Sequence, residues 1–111
     1  MTHALRLFAF ILTFALFCSR LSSQNATTSL RGTIADPQGA VIVGANVQLS
    51  RADTGFRAAH VSGKDGGYQF LQIPPGTYLL TVESPGFHTQ SKSVALLVDQ
   101  PSTLGIVLAL E

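Results

Sequence analysis

The sequence has 111 residues, 46% hydrophobic and 12% charged, with a formal net charge of +1. Four of the seven Phe, the only Met and Cys, and two of the seven basic residues fall within residues 1–23, so residues 24–111 carry five basic and six acidic side chains and no Cys, Met or Trp. Such a remainder supports one small domain burying roughly 60–65% of its unfolded surface; it excludes a disulfide scaffold or thiolate zinc site, and its near-neutral charge offers nucleic acid no footprint.

The first element is an address. Residues 2–6 are short and basic, and Leu7 to Cys18 form an apolar run broken only by Thr13. A membrane-crossing helix needs about 20 apolar residues. Twelve fit the centre of a helical secretory signal peptide over residues 1–23, with cleavage expected after Ser23 and no stable transmembrane span afterwards. Cys18 is a poor lipid-anchor position because bulky Phe17 precedes it, and Arg20 is the feature that favours an uncleaved anchor. The expected destination is therefore outside the cytoplasm: periplasmic, outer-membrane-associated or secreted. Residues 24–29 read as a flexible lead, in which Asn25-Ala26-Thr27 matches a glycosylation acceptor.

The domain proper is expected over residues 30–111. Leu30–Ala35 is a short strand closed by the turn Asp36-Pro37-Gln38-Gly39. Ala45–Ser50 alternates cleanly, with Ala45, Val47 and Leu49 on one face. Asp53-Thr54-Gly55 turns the chain into Phe56–Ser62, and Gly63-Lys64-Asp65-Gly66-Gly67 turns it again into Tyr68–Phe70. Pro74-Pro75-Gly76 interrupts, because proline cannot donate to a ladder, before the strand Tyr78–Glu83. After Ser84-Pro85-Gly86 come Phe87, a polar stretch His88–Ser93, then Val94–Val98 and Thr103–Leu110. About seven strands at ten-residue spacing predict an all-β, seven-stranded antiparallel β-sandwich. The expected inward set is Leu30, Ile34, Val47, Leu49, Val61, Tyr68, Phe70, Ile73, Tyr78, Leu80, Val82, Phe87, Leu96, Leu104, Ile106 and Leu108.

The motifs Gly32–Ala40 and Gly44–Leu49, then Asp65-Gly66-Gly67-Tyr68-Gln69-Phe70, Ile73–Tyr78 and Glu83-Ser84-Pro85-Gly86-Phe87, resemble in order those of the carboxypeptidase regulatory-like domain. The resemblance runs from Leu30 to Leu110 and departs at Val43, where that family often has proline. It implies a transthyretin-like sandwich, also grouped with starch-binding-like folds, which accompanies a peptidase without hydrolysing anything. A similar module often stands at the N-terminus of TonB-dependent receptors. With no plug or barrel before Glu111, the chain is expected to be a free-standing copy or a truncated reading frame.

Catalytic patterns are absent from the reading. Neither His60 nor His88 has a Glu at zinc-ligand spacing. Ser62 and Ser84 lie in turns without a nucleophile elbow. Asp65-Gly66-Gly67 lacks the spaced carboxylates of a calcium loop, and no helix follows its glycines to receive a phosphate. The expectation is a non-enzymatic module without cofactor or metal, contacting an envelope protein or a neighbouring domain. Its candidate contact edge is His88, Thr89, Gln90, Ser91, Lys92 and Ser93. The alternative is a carbohydrate-binding module stacking sugar on Tyr68 or Tyr78, disfavoured because the core needs both rings and there is no Trp.

Overall fold

A computed structural model describes residues 26–111 of the chain. The expected signal peptide, its cleavage point and Asn25 lie outside those residues. No helix among the described residues is long and apolar enough to cross a membrane.

Eight strands form: β1 (Thr28–Ala35), β2 (Asn46–Arg51), β3 (Phe56–Val61), β4 (Gly67–Ile73), β5 (Gly76–Glu83), β6 (Gln90–Leu96), β7 (Ser102–Thr103) and β8 (Ile106–Val107). They build two four-stranded sheets. One has the order β4-β1-β7, with β8 also on β1; the other runs β3-β2-β5-β6. The second sheet is antiparallel throughout, Leu49 pairing with Ala58 on one side and Leu80 on the other. Its alternating residues send Val47, Leu49, Tyr78, Leu80 and Val82 into the space between the sheets, where they meet Leu30, Ile34, Tyr68, Phe70, Ile106 and Leu108. Removing each large apolar side chain from water contributes roughly 1.5–3 kcal/mol, and this shared core holds the sheets face to face.

The turns form as their residues dictate. Asp36 Oδ1 accepts from the N–H groups of Gln38 and Ala40, both at 2.9 Å. Gly39 then closes the reversal with its N–H on the Asp36 carbonyl at 3.0 Å, at a φ of 88° that only glycine adopts readily.

Four sequence expectations need correction. First, the run Thr103–Leu110 is not one strand. β7 and β8 keep a single register along β1 (Leu30 with Ser102, Ile34 with Ile106), but the ladder breaks between them at Leu104-Gly105. Hence eight strands and not seven. Second, both pairings are parallel, so the sandwich is not wholly antiparallel. The chain reaches β7 from β6 in the opposite sheet, through a tight turn in which Gln100 N–H meets the Leu97 carbonyl at 3.3 Å. It is therefore not the return arm of a hairpin on β1. Third, Val61 is 56% exposed. Phe56, Ala58 and His60 face inward on β3, and Val61, an odd number of residues from Phe56, must face out. Fourth, the polar stretch does not precede the sixth strand but forms half of it, since β6 starts at Gln90. β1 also starts two residues ahead of the expected Leu30. Phe87 and Leu104 pack against the core while remaining partly exposed.

Candidate functional site

Among the described residues, no three His, Cys, Asp or Glu side chains come together to hold a metal ion. Several side chains with reactive groups are engaged in the fold. Ser62 is buried: its hydroxyl donates to the Ile42 carbonyl at 2.7 Å and accepts from Ala45 N–H at 2.9 Å. That pins the loop before β2 to the end of β3. Asp65 Oδ1 accepts from Gly67 N–H at 2.9 Å inside its turn. His60 lies half-buried with its ring edge-on to Phe70, centroids 6.3 Å apart. Its Nδ1 is buried and has no hydrogen-bond partner.

Both tyrosines offered as sugar platforms are in the core, Tyr68 at 3% and Tyr78 at 2% exposure. This corrects the stacking expectation, because neither ring turns a face to solvent. The Tyr68 hydroxyl donates to the Leu104 carbonyl at 2.6 Å. Burial pushes its ionisation up to about 12, so it stays a neutral donor through ordinary pH. The Tyr78 hydroxyl donates to the Pro74 carbonyl at 2.5 Å. Its ring takes Phe56 edge-on at 5.3 Å and the Arg51 guanidinium at 5.8 Å. Asp53 holds that guanidinium through an Nε–Oδ1 contact of 2.8 Å. The hydrogen bond from Arg51 holds the Asp53 carboxyl below the usual carboxylate range.

Two of the accessible surfaces bear on function. One is an open polar cleft of about 430 Å³ whose lining includes Arg31, Thr33, His60, Asp65, Gln69 and Thr103, with the largely buried Tyr68 contributing at its wall. The other is the β6 edge. β6 pairs with β5 over its whole length, from Gln90 opposite Val82 to Leu96 opposite Gly76, and among the described residues no strand lies on its far side. Every second residue of such a strand points its N–H and C=O away from the sheet.

The structure divides the six residues of the expected contact edge. Gln90, Ser91, Lys92 and Ser93 lie on this open edge strand. Thr89 is in the connection before it. His88 is exposed but its N–H is already donated to the Ala109 carbonyl at 2.8 Å, where Leu110 bridges to Phe87. Val94, Ala95 and Leu96 extend the open edge beyond the residues that polarity alone marked. Their apolar character hid them, since an apolar run reads equally as a central strand.

A sequence model described as the carboxypeptidase regulatory-like domain matches residues 29–109. No curated protein matches the sequence at a significant level. Among solved structures, wild-type catechol 1,2 dioxygenase from Acinetobacter radioresistens is similar with a TM-score of 0.63 and 14% identity, over 81% of this chain and 54% of that one. The Bacillus anthracis TIE protein gives a TM-score of 0.67 at 16% identity, over 77% of this chain and 17% of that one. The dioxygenase domain of a dioxygenase carbohydrate-binding protein fusion from Streptomyces sp. SirexAA-E gives 0.61 at 14% identity, over 81% of this chain and 84% of that one. Likeness at these identities is one of fold. The chain spans about half the length of the catechol dioxygenase it resembles.

Proposed function

The chain belongs to the carboxypeptidase regulatory-like domain family, and from that premise we propose that it is a non-catalytic, exported β-sandwich module that works by contact with an envelope protein or a neighbouring domain. The observation that carries this reading is the division of labour among its polar groups. Ser62, Asp65, Tyr68 and Tyr78 are spent on internal hydrogen bonds, whereas the terminal strands of the sheets, β6 the longest in unbroken register among them, keep one edge unpaired among the described residues. The apolar run at residues 7–18 supports export, and a place at the N-terminus of a TonB-dependent-receptor-like protein fits such a module. The resemblance to dioxygenases extends to the backbone arrangement and brings no ligand set with it. The carbohydrate reading would need a platform other than Tyr68 and Tyr78, both of which face the core.

Photo-crosslinking residues placed singly at Gln48, Leu71 and Ser93, three exposed positions on different parts of the surface, test the reading. Discrete protein adducts in the envelope fraction are expected from at least one position, with no peptidase or glycosidase turnover by the purified chain. Absence of adducts at all three, or measurable turnover, overturns it.

A further inference from the structure

Resting on the contact reading above, we propose that β6 is the docking strand, that its occupant is an extended segment of a partner protein, and that Lys92 selects a segment with a carboxylate opposite it while turning away a second copy of this chain. The edges of the two sheets are not equivalent. β3 and β4 stand at the same side, joined by one short turn, with His60 of β3 packing across onto Phe70 of β4. The β7–β8 edge is broken at Leu104-Gly105, and beyond it residues 109–111 are stitched to residues 86–88. β6 presents seven residues in unbroken register, with a partner on one side only.

Lys92 is the one charged residue of that strand. It stands opposite Leu80, which is buried, and shares the alternation of half-buried Val94 and buried Leu96. Its Cβ therefore points to the core side of the sheet, and the long side chain leaves along the open edge to stay in water. An inward-directed lysine on an edge strand opposes casual pairing, because an added strand would cover its ammonium. Two copies pairing through β6 would bring two such lysines to one seam, where like charges repel. Among the described residues no carboxylate pairs with Lys92, the single ion pair there being Arg51–Asp53. A partner strand that brings its own carboxylate relieves the desolvation and completes the ladder together. Main-chain bonds would supply affinity and the lysine the choice of partner.

The probes are two synthetic peptides of alternating threonine and valine, one with glutamate at its centre and one with lysine. Each is titrated into the purified chain while amide hydrogen exchange is followed residue by residue. The glutamate peptide is expected to protect alternate amides between Gln90 and Leu96 and to bind about fivefold more tightly than the lysine peptide, in line with cross-strand charge pairs. Lys92→Glu, at an exposed position that leaves the core intact, is expected to invert that order. Lys92→Thr is expected to abolish it and to raise self-association of the chain. Protection at any other strand, equal binding of both peptides, no binding of either, or self-pairing of the unaltered chain through β6 would overturn the proposal. Adducts from Gln48 or Leu71 without any from Ser93 would sink the β6 assignment yet leave the contact function standing.

Discussion

Gly32 on β1 is where the two ends of the fold press closest together. A Cβ built on it would fall 1.8 Å from the Leu104 carbonyl oxygen and 2.8 Å from the Tyr68 hydroxyl. Neither neighbour is the loose end of a flexible chain, so Gly32→Ala must push the Leu104 peptide outward. Two bonds are then at risk: Tyr68 Oη–H to Leu104 C=O at 2.6 Å and Leu104 N–H to Arg31 C=O at 2.8 Å. Losing the first leaves a buried phenol unsatisfied at about 1–3 kcal/mol, and the second adds about 0.5–1.5 kcal/mol. Alanine recovers about 0.4–1 kcal/mol by restricting the unfolded chain, since Gly32 has no positive φ to forfeit. The expected net loss in urea unfolding is about 0.5–4 kcal/mol. Gly105→Ala is the control, for its nearest heavy atom would be 4.0 Å away, and it should be neutral or slightly stabilising. Combining Gly32→Ala with Tyr68→Phe should lose less than the sum of the two, because both remove the same hydrogen bond. A Gly32→Ala chain as stable as the original would refute the close approach, and full additivity would refute the shared bond.

Leu80→Ala should destabilise by about 2–5 kcal/mol, because Leu80 is 1% exposed; Leu79→Ala, at 46% exposure, should lose under about 1 kcal/mol, and denaturant titrations giving the reverse order would place β5 one residue out of register. The stability of the folded chain should also fall in alkali. Tyr68 ionises at 10.0 when free and at about 12 when folded, so its contribution is complete below pH 10 and is lost as pH rises towards 12. The fall attributable to it is at most about 2–3 kcal/mol, and less where solvent reaches the hydroxyl. Tyr68→Phe should abolish that component, and an unchanged alkaline slope in the variant would assign it elsewhere.

Alternation and turn chemistry made most of the second sheet legible. Val47, Leu49, Leu80 and Val82 alternate without interruption, and each lands inside. The parity of β3 was harder, because Phe56 and Val61 are both apolar and only one can face in. Phe56 prevails through its edge-on contact with Tyr78. Ile42 and Ser62 are buried outside the regular strands. A hydroxyl that satisfies two backbone groups across a loop leaves no periodic trace in sequence. The break at Leu104 was illegible for the same reason: it arises from a carbonyl meeting a phenol 36 positions away. Of the candidate site, polarity located Gln90–Ser93 but gave no way to tell an unpaired edge from a solvated loop. The open side follows from β6 being last in its sheet order, a property of topology and not of the strand.

The parallel seam along β1 has a consequence for the order of events in folding. β1 holds residues 28–35, yet its partners on that flank are residues 102–107. Until those residues are made, one flank of β1 lacks its ladder partners, and Leu30 and Ile34 lack Ile106 and Leu108 from the core they share. The β2–β3 hairpin can close early over a short loop, whereas this pairing must gather chain ends some seventy residues apart (Leu30 with Ser102). Such closure is slow relative to local pairing. A ribosome still short of residue 102 therefore carries a half-built sandwich with an exposed apolar flank. During that interval the nascent chain is most open to premature aggregation, or to capture by a chaperone that keeps it unfolded.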